Sequence, residues 1–183
     1  MKKNNLENSY KKKLNHITTF IFDIDGVLTD GKVYITSDNE LTRPMHTKDG
    51  FAIKTAIKKG YKVAIISGAK DENVIKRLKY LNIEDIYIKI DDKLTVYETL
   101  LEKYNLKHEE ILYMGDDIPD LPLLRRVGLS ACPRDAVQEV LEVVDYISHK
   151  KGGHTCVRDL IEQVLRVQGK WTFDMNRNDV AAN

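Results

Sequence analysis

Phe20-Ile21-Phe22-Asp23-Ile24-Asp25-Gly26-Val27-Leu28-Thr29-Asp30 is the stretch that decides the fold. Its first half is an apolar run rich in β-branched and aromatic residues, which reads as a buried strand. The run ends in two aspartates one residue apart, followed by a glycine that lets the backbone turn. In an extended chain alternate side chains share a face, so Asp23 and Asp25 both project from the carboxyl end of that strand. Open α/β sheets place their ligands at that end. Two carboxylates so close repel each other, and the repulsion is relieved by a cation between them or by protonating one of them for acid–base work. An Asp- and Gly-rich turn without chemistry has the same composition, so the rest of the chain must decide.

Working outward, strands and helices alternate from Ile17 to the C-terminal region. Lys32-Val33-Tyr34-Ile35, the turn residues Thr36-Ser37-Asp38-Asn39 and Leu41-Thr42-Arg43 predict a β-hairpin. Asp49-Gly50 opens a helix through Ile53, Ala56 and Ile57 that Gly60 closes. Tyr61–Ile66 is a strand ending at Ser67-Gly68, and a helix follows with Val74, Leu78 and Leu81 on one face. Ile86–Ile90 is a short strand, Leu94–Tyr104 a helix, and Ile111–Met114 a strand that ends at Gly115-Asp116-Asp117. Helix Pro122–Val127, strand Leu129–Cys132, helix Ala136–Val144, strand Tyr146–Ser148, the loop Gly152-Gly153 and a helix from Thr155 to Val167 complete the series. Such alternation implies right-handed βαβ crossovers. The predicted fold is α/β: a doubly wound, Rossmann-like parallel sheet with helices on both faces and a β-hairpin insertion.

Composition bounds the function. The chain has 183 residues and a net charge of +1, which suits one domain with a full core and gives no nucleic-acid footprint. No apolar run approaches the ~20 residues that span a bilayer. The polar, lysine-rich start from Met1 to Asn15 has no apolar segment of the secretory kind. The two cysteines, Cys132 and Cys156, make neither a metal nor a disulfide pattern, and a cytoplasmic location is the expectation. The expected organisation is a polar arm over residues 1–15, a single domain over 16–171 with its hairpin at about 32–46, and a disordered tail over 172–183.

Polar residues collect at four strand ends: Asp23/Asp25, Ser67, the loop holding Lys93, and Asp116/Asp117/Asp120. In a doubly wound sheet these ends line one crevice. Several carboxylates make a hard-oxygen site suited to Mg²⁺, which takes one or two carboxylates plus water and a substrate phosphate. A lysine and a strand-end serine suit the non-reacting phosphate oxygens. An aspartate can serve as nucleophile and form an aspartyl-phosphate, while a second carboxylate protonates the leaving oxygen and later activates water. Asp116, Asp117 and Asp120 equally suit capping of the helix that follows.

The order of these motifs resembles the haloacid dehalogenase superfamily. Its first motif falls on Asp23-Ile24-Asp25-Gly26-Val27-Leu28-Thr29, its second on Ser67, its third on Lys93 and its fourth on Gly115-Asp116-Asp117-Ile118-Pro119-Asp120. The resemblance, which runs from about Ile17 to Trp171, implies that Asp23 attacks phosphorus and Asp25 is the acid/base. It implies Mg²⁺ held by Asp23, the backbone carbonyl of Asp25, and Asp116, with Asp117 or Asp120 in support. Neither the stretch from Thr29 to Gly50 nor that from Ser67 to Lys93 has room for a cap domain, so the resemblance is to the capless branch. An uncapped site is open, and a second subunit is expected to close it.

Within that branch the chain resembles the 3-deoxy-D-manno-octulosonate 8-phosphate phosphatases. The features that carry this are the Asp30-Gly31 hairpin entry, Lys48-Asp49-Gly50-Phe51, Ile65-Ile66-Ser67-Gly68, and the tail from Gly152-Gly153 through Val157-Arg158-Asp159 to Gln168-Gly169-Lys170. The resemblance implies a cytoplasmic homotetramer of lipopolysaccharide biosynthesis, with its hairpins gathered at the centre. It also implies substrate contacts from Ser67, Gly68, Lys93, Lys48, Asp49, Arg158 and His154, some supplied by a neighbouring subunit. The chain departs from the family pattern at Lys48, Ser67, Ala69, Thr155 and Asp159, where the family has Arg, Thr, Arg, Gly and Glu. The catalytic set is untouched, so the departures bear on which sugar acid is taken. Alternative readings are a phosphatase of the nine-carbon 2-keto-3-deoxynononate 9-phosphate and a non-catalytic partner of a sugar-nucleotide synthetase.

Overall fold

A computed structural model of the chain describes residues 10–38 and 41–173. The elements in chain order are β1 (Thr19–Phe22), β2 (Tyr34–Ile35), β3 (Leu41–Thr42), α1 (Thr47–Lys58), β4 (Lys62–Ile66), α2 (Glu72–Tyr80) and β5 (Asp85–Tyr87). They continue with α3 (Lys93–Tyr104), β6 (Ile111–Met114), α4 (Leu121–Leu124), β7 (Leu129–Cys132), α5 (Gln138–Leu141), β8 (Tyr146–Ile147) and α6 (Cys156–Val167). Six strands form one sheet in the order β5-β4-β1-β6-β7-β8, and every pairing in it is parallel. β2 and β3 form a separate antiparallel ribbon.

The quoted stretch explains this architecture. β1 is buried along its whole length, because it lies between β4 and β6 with Phe22 in register with Ile65 on one side and Met114 on the other. Its alternation then sends side chains to two different cores. Phe20 and Phe22 pack with Ala52 and Ile53 of α1 and Leu160 and Val164 of α6. Ile21 packs on the opposite face with Tyr97 and Leu100 of α3 and Leu123 of α4. Helices on both faces of a parallel sheet follow from that split, and the doubly wound expectation is met.

Several boundaries differ from the expected ones. The helix expected over 136–144 contracts to Gln138–Leu141, and the one over 122–127 to Leu121–Leu124 behind a 3₁₀ turn at Ile118–Asp120. The strand expected to reach Ile90 stops at Tyr87. There the chain turns back, so that Lys89 N–H and Ile90 N–H donate to the carbonyls of Ala69 and Ser67. That turn brings residues 90–93 alongside Ser67.

The N-terminal arm is packed over its described part. Tyr10–Lys13 is helical, Leu14 is buried, Lys13 pairs with Asp145 at 2.6 Å, and the Tyr10 ring lies 5.0 Å from that of Tyr146. At the other end the rings of Trp171 and Phe173 meet edge to face, so ordered packing runs to residue 173. The disordered tail is expected from residue 172; its residues 174–183, and the first nine residues of the arm, lie outside the described residues. No helix among the described residues is long and apolar enough to cross a membrane.

Candidate active site

The carboxyl ends of β1, β4 and β6 open into one cavity of about 460 Å³, lined by Asp23, Asp25, Ser67, Gly68, Lys93, Asp116, Asp117 and Asp120, among others. All eight were singled out from the sequence. Asp23 ends β1 in extended backbone, and its Oδ1 accepts the N–H of Ile24 at 2.7 Å. The chain then closes a tight turn, with Thr29 N–H donating to the Ile24 carbonyl. Gly26 sits inside this turn at φ +79°, where a Cβ would overlap the Asp116 carboxylate. The turn therefore demands glycine twice over, by backbone conformation and by space.

Lys93 is the first residue of α3, and its ammonium bridges two acids. It donates to Asp23 Oδ2 at 2.8 Å and to Asp120 Oδ1 at 2.6 Å, with 6% of its side chain exposed. Burial works to depress the Lys93 pKa, but Asp23 and Asp120 outweigh it and hold the group above the ordinary lysine value. Burial and then Asp120 push Asp23 above the usual carboxylate range, against the pull of Lys93 and a hydrogen bond with Ser67. Ser67 is itself buried, and its Oγ accepts the N–H of Ala69.

The acids of the fourth motif divide by their hydrogen bonds. Asp120 is fully buried and takes four donors: Lys93 and the Tyr113 hydroxyl on Oδ1, and the N–H groups of Asp116 and Asp117 on Oδ2. Each of its oxygens has two lone pairs, so this carboxylate has nothing left for a cation. Asp117 is exposed and caps the following turn by accepting the Ile118 N–H at 2.7 Å. Asp116 is the opposite case, since its Oδ1 is buried with no hydrogen-bond partner. Burial, then Asp120, Asp23 and Asp117, raise its pKa to about 8. Tyr113, buried on β6 and held un-ionised by that burial and by Asp120, belongs to the site although its position in a plain apolar strand carried no signal.

Oxygens of Asp23, Asp116 and Asp120 lie within 4.8 Å of one another. A buried carboxylate oxygen without a donor beside a second carboxylate is what a hard divalent cation would satisfy. The donor set is all oxygen and therefore fits Mg²⁺. Asp23 and Asp116 have lone pairs left free, whereas those of Asp120 are taken.

Asp25 also faces the cavity, with 37% of its side chain exposed. Arg43, just beyond β3, donates from Nε to Asp25 Oδ1 at 2.7 Å. This residue too was missed, because a polar residue at the end of a hairpin gives no hint of its partner.

Four residues expected at the substrate are not in this cavity. Asp49 is a correction: it is 1% exposed, and its Oδ1 accepts the backbone N–H of Arg158. Lys48, His154 and Arg158 instead form a basic patch with His46. Partial burial, followed by the charges of Lys48, His154 and Arg158, depresses the His46 pKa. The Arg158 guanidinium lies 5.8 Å from the Phe51 ring centroid and 5.6 Å from that of Trp171. The Gly152-Gly153 loop does reach the Gly26 turn, without lining the cavity. Gly153 N–H donates to the Val27 carbonyl at 2.9 Å, and a Cβ on Gly152 would overlap the Gly26 carbonyl.

Comparison with known proteins agrees with this geometry. Residues 83–155 match a family model described as haloacid dehalogenase-like hydrolase. The chain is 36% identical over 158 residues to the 3-deoxy-D-manno-octulosonate 8-phosphate phosphatase of Salmonella typhi, covering 86% of this chain and 84% of that protein. The crystal structure of the phosphatase of that name from Moraxella catarrhalis, in complex with magnesium ion, phosphate ion and a KDO molecule, superposes with a TM-score of 0.86 at 33% identity, covering 90% of this chain and 94% of that one. The cobalt-bound deoxy-D-mannose-octulosonate 8-phosphate phosphatase of Haemophilus influenzae gives a TM-score of 0.85 at 30% identity, covering 92% and 99%.

Proposed function

The chain belongs to the 3-deoxy-D-manno-octulosonate 8-phosphate phosphatases of the haloacid dehalogenase-like hydrolases, and from that membership we propose how its own residues carry the reaction. It is a phosphoric monoester hydrolase that releases phosphate from 3-deoxy-D-manno-octulosonate 8-phosphate, with Mg²⁺ as cofactor. The observation that carries this is the cavity in which Asp23, Asp25, Lys93 and the unpartnered Asp116 converge.

Asp23 attacks phosphorus and becomes an aspartyl-phosphate, while Asp25 protonates the leaving sugar oxygen. Asp25 then takes a proton from water, which attacks phospho-Asp23 and frees phosphate. Lys93 and Ser67, with the backbone of Gly68, hold the phosphoryl oxygens whose charge must be balanced in the transition state. Asp23, Asp116 and the backbone carbonyl of Asp25 would hold the metal, with Asp120 and Asp117 supporting them. A bound divalent cation supplies charge neutralisation for the phosphoryl group.

The assembly is a homotetramer built on the hairpin. Val33, Tyr34, Ile35 and Leu41 expose 45%, 49%, 73% and 46% of their surface on this ribbon, a grouping of apolar side chains that favours a partner. The Lys48, His154 and Arg158 patch then serves a neighbour's site, where the substrate carboxylate would meet a bidentate guanidinium. The product feeds lipopolysaccharide synthesis in the cytoplasm.

The test is phosphate release from the eight-carbon 8-phosphate and the nine-carbon 2-keto-3-deoxynononate 9-phosphate, with Mg²⁺ and with EDTA. The eight-carbon substrate is expected to lead by at least about tenfold in kcat/KM, roughly 1.4 kcal/mol, with EDTA silencing both. Asp23→Asn should abolish turnover in a folded chain, and turnover that survives it would overturn the nucleophile. A single-protomer mass in sedimentation would overturn the assembly.

A further inference from the structure

A general acid must present one oxygen to the leaving group, yet an aspartate carboxylate turns broadly about its last torsion. Asp25 stands on a loop, with 37% of its side chain open to solvent. Something has to set its angle. Arg43 Nε donates to Oδ1 at 2.7 Å, and the Thr29 hydroxyl stands 3.5 Å from the same oxygen.

Arg43 is held at its other end as well. Its side chain is 8% exposed, and Nη1 reaches Asp71 Oδ2 at 3.4 Å. Asp71, whose side chain is 6% exposed, is fixed in turn because its Oδ1 caps α2 by accepting the Asn73 N–H at 2.8 Å. The chain Asp25–Arg43–Asp71–α2 is a strut from the helix start to the acid. A guanidinium fork of fixed geometry transmits orientation in a way that a flexible ammonium does not.

We propose that Arg43 is the positioning residue for Asp25: it pins Oδ1, leaving Oδ2 to deliver the proton to the leaving oxygen. Oδ1 accepts the Nε–H whether or not Oδ2 carries a proton, so the strut holds through both halves of the reaction. Because Arg43 directly follows β3, the exposed ribbon and the acid are mechanically joined. The inference rests on Asp25 being the acid/base, and its test separates the two.

The test compares kcat/KM for phenyl phosphate and p-nitrophenyl phosphate, two substrates of one shape without a sugar. Only the first has a leaving group that needs a proton. Arg43→Met is expected to reduce the phenyl rate at least about tenfold more than the p-nitrophenyl rate, the signature of impaired general-acid catalysis. Arg43→Lys should recover part of it. Asp25→Asn should discriminate in the same direction, and Arg43→Met should cost nothing further when added to it. Unfolding midpoint and Mg²⁺ affinity are followed in parallel. Should Arg43→Met fail to fold, Asp71→Asn loosens the far end of the strut and should discriminate the same way at smaller amplitude.

Equal losses on both aryl substrates, or a loss confined to the sugar phosphate, would overturn the positioning role. Full additivity with Asp25→Asn would do the same. If Asp25→Asn itself treats both leaving groups alike, the acid assignment falls and takes Arg43 with it. If Asp25→Asn discriminates and the Arg43 and Asp71 variants do not, only Arg43 is wrong.

Discussion

Asp49 caps a helix to which it does not belong. From the first turn of α1 its Oδ1 accepts the N–H of Arg158, near the start of α6, at 2.7 Å, across 109 positions of sequence. Thr155, which precedes α6, makes no side-chain cap of its own. Two of the helices packed on one face of the sheet are thus joined at their N-terminal ends by one buried carboxylate.

That carboxylate sets a pH dependence. Burial raises its pKa from 3.8 to about 6, against backbone hydrogen bonds from Arg158 and Thr155 and the nearby charges. The folded state therefore binds more protons than the unfolded state between those values, and Asp49 contributes most stability below pH 3.8. The contribution is lost as pH rises towards 6. At neutral pH the group then costs on the order of 3 kcal/mol. Asp49→Asn keeps the acceptor and drops the charge. Chemical unfolding from pH 3.5 to 7 should show the wild type falling relative to this variant across that window. Asp49→Ala should lose about 1–2 kcal/mol at low pH through the missing cap. Parallel pH curves for wild type and the Asn variant would sink the assignment.

With Asp116 as the proposed metal ligand, binding of the ion should release protons. The Asp116 pKa of about 8 without a cation means that it is largely protonated at pH 7, and a hard cation must displace that proton. Calorimetric titration with Mg²⁺ in buffers of different ionisation enthalpy should show proton release approaching one per ion at pH 7. Affinity should rise with pH, by up to about tenfold per pH unit, and level off above 8. Asp116→Asn should remove both the pH slope and most of the affinity. A Kd that does not change between pH 6.5 and 8 would contradict this.

Thr155 has φ +74°, a left-handed conformation that β-branched residues rarely take. Glycine adopts it without strain, so Thr155→Gly should stabilise the fold by about 1 kcal/mol, less the entropy glycine adds to the unfolded chain. Differential scanning calorimetry would register the gain as a rise in Tm, while a lowered Tm would mean that the Thr155 side chain supports the loop.

How much of this was legible in the sequence depended on distance along the chain. Asp23 and Asp25 were readable because period-two alternation and the following glycine are local signals. Ser67, Lys93 and the Asp116–Asp120 cluster were readable because each stands at the end of an apolar run or the start of a helix. Arg43, Tyr113 and the real work of Asp49 were not. Arg43 meets Asp25 only through the hairpin's return, Tyr113 looks like any core residue of β6, and Asp49 finds its partner through the packing of α1 on α6. The short helices at Leu121–Leu124 and Gln138–Leu141 were overestimated because apolar spacing continues past the point where turns take over the backbone.

The strand order has a consequence for the chain as it is made. β1 emerges early from the ribosome, but its two neighbours are β4 and β6, so Phe22 waits for Ile65 and then for Met114. Until about two thirds of the protein has been synthesised, the strand that ends at Asp23 lacks one of its two neighbours and keeps one apolar edge open. Such a segment is prone to aggregation during slow, non-local sheet assembly. The central position that gives Asp23 its rigid support thus leaves one edge of its strand open until residue 114 has been added.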